Sequence, residues 1–217
     1  MQMDGNRLCR MATRSILAAL LLTFSIAGSV LAQSSAQNVP DDYYRAEFVI
    51  LERIVDPGSI NEHMADHIVE PTPATNDILW SVAQGGSVQS TLSLVSKNSL
   101  YLNSAAQRLE RSGHYRLLAA TGWYQTFPPN YDGKPLRVEL GDWLPNSGTR
   151  EIEGTITVDR QRYLHVGVHL NHWKEGMEGP KELVTWIRET RRMRSEEIHF
   201  LDSPTIGVLV FFKKISE

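Results

Sequence analysis

Two stretches near opposite ends of the chain are apolar at consecutive positions: Phe48-Val49-Ile50-Leu51 and Ile206 to Phe212 (IGVLVFF). A strand sends alternate side chains to opposite faces, so a run that is apolar in both parities must be covered on both sides. Tyr44 to Ile54 (YRAEFVILERI) and the C-terminal run are therefore expected to be central strands. If they pair side by side, the sheet closes on itself or nearly so, in a barrel-like form.

The rest of the chain reads as a mixed pattern around these strands. Leu102, Ala105, Ala106 and Leu109 fall on one helical face, and Gly113 stands where a left-handed C-terminal residue is wanted, which predicts a helix of about 13 residues from Ser99. His114 to Thr126 follows as a strand. From Leu136 onward the alternation has period two: Ile152, Gly154, Ile156 and Val158 interleave with Glu151, Glu153, Thr155 and Thr157. After a turn near Asp159 to Gln161, Leu164, Val166, Val168 and Leu170 share one parity while Tyr163, His165, His169 and Trp173 share the other. Leu183 to Arg194 and Glu197 to Leu201 are further strands. Residues 56–98, broken by Pro57, Pro71, Pro73 and Gly85-Gly86, read as an irregular insertion with at most one short helix. The expected class is α+β: one principal helix packed on a bent, mostly antiparallel sheet, in a single domain over 44–217.

The first 32 residues have the form of a secretory signal, with Arg7, Arg10 and Arg14 before an apolar run from Ile16 to Val30, and Val30-Leu31-Ala32 offering a cleavage site. An uncleaved anchor is the alternative. Residues 33–43 read as a flexible leader. Losing the signal removes three Arg and Asp4 from 22 Lys+Arg and 25 Asp+Glu, leaving 19 against 24. A mildly acidic exported protein is a poor candidate for nucleic acid. The only cysteine, Cys9, goes with the signal, so stability must come from packing and not from disulfides. After cleavage no stable membrane insertion is expected.

Candidate chemistry centres on the run Arg191 to Ser195 (RRMRS). On a strand Arg188, Arg192 and Arg194 share one face over about 20 Å, and guanidiniums in a row suit carboxylates or phosphates, which their planar fork binds bidentately. The alternative is that Glu151, Glu153, Glu196 and Glu197 neutralise them from neighbouring strands. Tyr163, His165, His169 and Trp173, with Trp123 and Tyr124 on another strand, offer rings and imidazoles that can contact sugars, although such a stripe can equally be packing. A metal site finds no support. His165 and His169 lie ~13 Å apart on a strand, too far for one zinc ion, and His63, Asp66 and His67 (HMADH) lack the partner glutamate of a metalloprotease helix. No G-x-S-x-G elbow or S-x-x-K motif is present. No cofactor is expected, and the residues favour a binding module over an enzyme.

Tyr44 to Arg53, Leu102 to Trp123, Arg162 to His165 and Arg191 to Val210, taken in order and spacing, resemble the peptidoglycan-binding CsiV family of Gram-negative periplasms. The chain departs from that pattern at Ala120 to Gln125, where His-x-Ala-Trp-Arg-Gln would stand, and at Ser203, where a His is usual. The resemblance implies a non-enzymatic periplasmic protein that binds the cell wall. It also implies support for a bifunctional penicillin-binding protein through that enzyme's outer-membrane lipoprotein activator. A wall-modifying enzyme with an unrecognised site, and an adaptor that contacts only a protein, are the competing classes.

Overall fold

The computed structural model describes residues 39–216 apart from 57–58, 61–63, 65–66 and 178. The signal segment, most of the leader, His63 and Asp66 lie outside the described residues. The first elements are β1 (Tyr43–Arg53), β2 (Ile78–Ala83), β3 (Ser87–Ser90), α1 (Asn103–Arg111) and β4 (Tyr115–Thr126). There follow β5 (Leu136–Leu144), β6 (Thr149–Arg160), β7 (Leu164–Glu175), β8 (Lys181–Met193), β9 (His199–Asp202) and β10 (Ile206–Lys214). The class is α+β.

The strands form two sheets, ordered β4-β1-β10-β9 and β3-β2-β5-β6-β7-β8. All pairings are antiparallel except β2 with β5. The two apolar runs do pair, with Phe48 opposite Val210 and Ile50 opposite Val208. The barrel-like expectation is corrected: β1 and β10 lie in the middle of the smaller sheet, and that sheet ends at β4 and β9 without joining the other.

Burial on both faces of β1 explains its composition. Ala46, Phe48 and Ile50 meet the six-stranded sheet in the main core, against residues such as Val138, Ile152, Val166 and Val168. Val49 and Leu51 face the other way and pack with Leu102, Ala106, Leu209 and Phe211 under α1. Fully burying side chains of this size contributes about 1.5–3 kcal/mol each. The helix is shorter than expected because Lys97–Ser99 forms a separate 3-10 turn and Leu100 is extended. Glu47, fully buried on β1, holds the entry to α1: its carboxylate accepts the backbone N–H of Tyr101 at 3.1 Å and of Leu102 at 3.0 Å. Arg45 donates to the same carboxylate at 2.6 Å. At the other end Gly113 has φ +75, as expected.

The insertion 56–98 is only partly irregular. Its second half supplies β2 and β3, joined at Gly85 and Gly86, whose φ values of 70 and 72 a side chain would oppose. The hairpin extends the six-stranded sheet at its β5 edge.

Candidate functional site

Alternation places Val166, Val168 and Leu170 of β7 and Ile187 of β8 in the core. His165, Gly167, His169, Arg188, Thr190 and Arg192 consequently line the outer face. The register sets His169 opposite Arg188, Gly167 opposite Thr190 and His165 opposite Arg192. Two histidine–arginine pairs thus stand ~13 Å apart, two steps of the pleat, with a low step of Gly167 and Thr190 between them. Tyr163, just before β7, carries Arg192 at 4.7 Å and Arg162 at 5.4 Å from its ring centroid.

Arg188 is held in place without an acidic partner. It donates to the carbonyls of Leu170 at 3.0 Å and Ile187 at 2.9 Å and to the Asn171 side-chain oxygen, and lies 4.9 Å from the Trp186 ring. Burial lowers its pKa from the usual guanidinium range. Burial, then the neighbouring Arg188 charge, lower the His169 pKa, so that imidazole is neutral near pH 7. At this end a cavity of about 210 Å³ lies between His169, Arg188 and the segment 68–73.

Of the glutamates that could have neutralised the row, Glu197 does so at Arg194, while Glu151 and Glu153 are engaged elsewhere. Glu151 pairs with Arg116, Glu153 with Lys181 at 2.7 Å, and Glu197 with Arg194 at 3.5 Å. Among the described residues neither Arg188 nor Arg192 meets a carboxylate.

Four expected site residues stand apart from this face. β8 ends at Met193, and Arg194 follows in a turn where its backbone N–H donates to His199 and Glu196 takes φ +65. Trp173 is only 9% exposed, because it packs with Leu144 and Leu183 against Met64, Val69 and Trp186, with the Lys181 ammonium 4.1 Å from the ring centroid. Trp123, on β4, lies in the main core, stacked on Phe48 at 5.2 Å with planes 7° apart. Tyr124, its neighbour, points the opposite way onto Tyr43. Neither ring reaches the histidine–arginine face.

A second cluster has no counterpart in the sequence reading. Arg116 donates to Glu52 at 2.5 Å, Asp142 at 2.9 Å and Glu151, joining β1, β4, β5 and β6 across the two sheets. These groups line a cleft of about 690 Å³ with His172, whose Nδ1 lies 2.8 Å from the Thr205 hydroxyl. Burial raises the Glu151 pKa more than Arg116 lowers it, and the Glu52 and Asp142 charges add to the rise. Burial opposes the charge on Arg116 too, but the Glu151 charge and the Glu52 hydrogen bond outweigh it and raise its pKa. Burial also lowers the His172 pKa, against the opposing pull of Glu52. The cluster surrounds a saturated cation and pins the sheets together. Sequence separations of 26 to 64 residues between partners hid it from any local pattern.

Searches of curated proteins and of solved structures returned no match. A family model described as "Peptidoglycan-binding protein, CsiV" matches residues 16–215, and the chain belongs to that family.

Proposed function

We propose that this protein binds peptidoglycan without cleaving it, through the outer face of β7 and β8. The observation that carries the reading is the pair of arginines, Arg188 and Arg192, set opposite imidazoles and without an acidic partner. The wall offers D-lactyl and stem-peptide carboxylates, and charge-assisted bonds to guanidinium are shorter and stronger than neutral ones. His169, neutral near pH 7, adds a hydrogen-bonding group beside them, and the exposed Tyr163 ring gives a saccharide an apolar surface. Trp123, Tyr124, Trp173 and Arg194 take no part in this face.

The family resemblance extends the proposal to the periplasm, after removal of residues 1–32, and to promotion of a bifunctional penicillin-binding protein through its lipoprotein activator. No helix among the described residues is long and apolar enough to cross a membrane. Purified protein should cosediment with isolated sacculi at low salt and less at raised salt, since screening weakens exposed charge contacts. It should release no soluble muropeptides. Loss of the salt effect, or muropeptide release abolished by a single substitution, would overturn the reading.

A further inference from the structure

Another cavity opens between the end of β4 and the loop into β5. Its volume is about 270 Å³, below the roughly 300–1,000 Å³ of sites for drug-sized ligands and suited to a single sugar ring. Three side chains form a fixed network in its wall. The Trp123 indole N–H donates to the Gln125 amide oxygen at 2.8 Å, and the Gln125 amide nitrogen donates to the Tyr131 hydroxyl at 2.8 Å. Tyr131 is braced by Phe127, ring centroids 5.7 Å apart, and by the Arg160 backbone N–H bonded to its carbonyl at 2.8 Å.

This network leaves hydrogen-bonding capacity pointed at the cavity. Gln125 has a second amide proton, and Tyr131 keeps its own hydroxyl proton to donate. Asp77 and Lys134 also line the cavity, and among the described residues neither side chain has a hydrogen bond or ion pair. A carboxylate accepts only and an ammonium donates only, while a sugar hydroxyl does both and can satisfy each. The half-buried Tyr131 ring supplies the apolar surface that the C–H groups of a pyranose require, Trp123 and Phe127 being buried behind it.

We infer that this cavity is a second wall-binding site that takes one neutral acetamido-sugar ring of the glycan strand, separate from the carboxylate-binding face of β7 and β8. The inference rests on the proposal that the protein binds peptidoglycan, and deepens it by adding an enclosed site for one sugar ring to the open face of β7 and β8.

The test is calorimetric titration of the purified protein with triacetylchitotriose, a glycan probe that has acetamido sugars and no carboxylate. The parent should bind it. Gln125→Ala and Asp77→Asn should each weaken binding about tenfold, the factor that corresponds to ~1.4 kcal/mol, and Arg194→Ala, outside both sites, should leave it unchanged. If Gln125→Ala fails to fold, Asp77→Asn and Lys134→Ala still report on the site. Absence of chitotriose binding, or equal affinity in the Asp77 and Lys134 variants, overturns the inference even where sacculus binding persists. Chitotriose binding without salt-sensitive sacculus binding supports this cavity and sinks the arginine face instead.

Discussion

The guanidinium of Arg192 stands 4.7 Å from the centre of the Tyr163 ring, while Arg194, two residues on, has left the sheet and pairs with Glu197. Two arginines of one dense run therefore have different surroundings, and substitutions can tell them apart.

Arg192→Ala should weaken cosedimentation with sacculi at low salt, each lost charge-assisted hydrogen bond costing about 1.5–3 kcal/mol. As an exposed residue without an ion pair, it should shift folding stability by only ~0.5 kcal/mol. Arg194→Ala should leave sacculus binding as in the parent. Equal binding by parent and Arg192→Ala protein would return this arginine to the solvated surface.

Sacculus binding should strengthen as the pH falls below the ordinary imidazole value of about 6.5. His169 is neutral near pH 7 because burial and Arg188 lower its pKa. Protonation adds a positive charge beside Arg188 while wall carboxylates remain ionised. Binding measured between pH 7.5 and pH 5 should show the rise in the parent and a smaller one in His169→Gln.

Folding stability should carry an acid-side loss from His172. Its folded pKa is lowered by burial, so its contribution is fully present above the unfolded value of about 6.5 and is lost as the pH falls through the folded value. Glu151 works in the opposite sense, since its raised pKa makes the folded state the better proton binder above the ordinary carboxylate range. The difference in denaturant stability between the parent and His172→Gln, followed from pH 7.5 downward, isolates the histidine. A pH-independent difference would contradict this account.

Glu47→Ala should destabilise the protein by about 3–5 kcal/mol, as expected when one partner of a buried pair is removed. The substitution leaves Arg45 without its carboxylate and the N–H groups of Tyr101 and Leu102 without an acceptor. Thermal denaturation gives the size, and hydrogen exchange should locate the loosening at Tyr101 and Leu102, where the chain enters α1.

Alternation and double-sided apolar runs made much of the scaffold legible in the sequence. The central character of β1 and β10, the inward row Leu164 to Leu170 and the end of the helix at Gly113 all follow from local periodicity. Gly85-Gly86 was a hairpin signal that the proline-rich insertion around it obscured. Met193, of opposite parity to Arg192, is 2% exposed, so strand parity alone placed this neighbour correctly.

Parity could state which side of a strand a residue takes, but not what covers that side. Trp173 loses its exposure to Met64 and Val69, more than a hundred residues earlier in the chain, and Trp123 is buried by Phe48. Among the described residues Arg188 and Arg192 meet no carboxylate, while Glu151 and Glu153 pair with Arg116 and Lys181. The sequence by itself determined the strands outside the insertion 56–98 and the central positions of β1 and β10, because the pleat sets side-chain parity over neighbouring residues. The tertiary structure alone decided which charges were neutralised and which rings stayed open, because those outcomes depend on side chains brought together from distant strands.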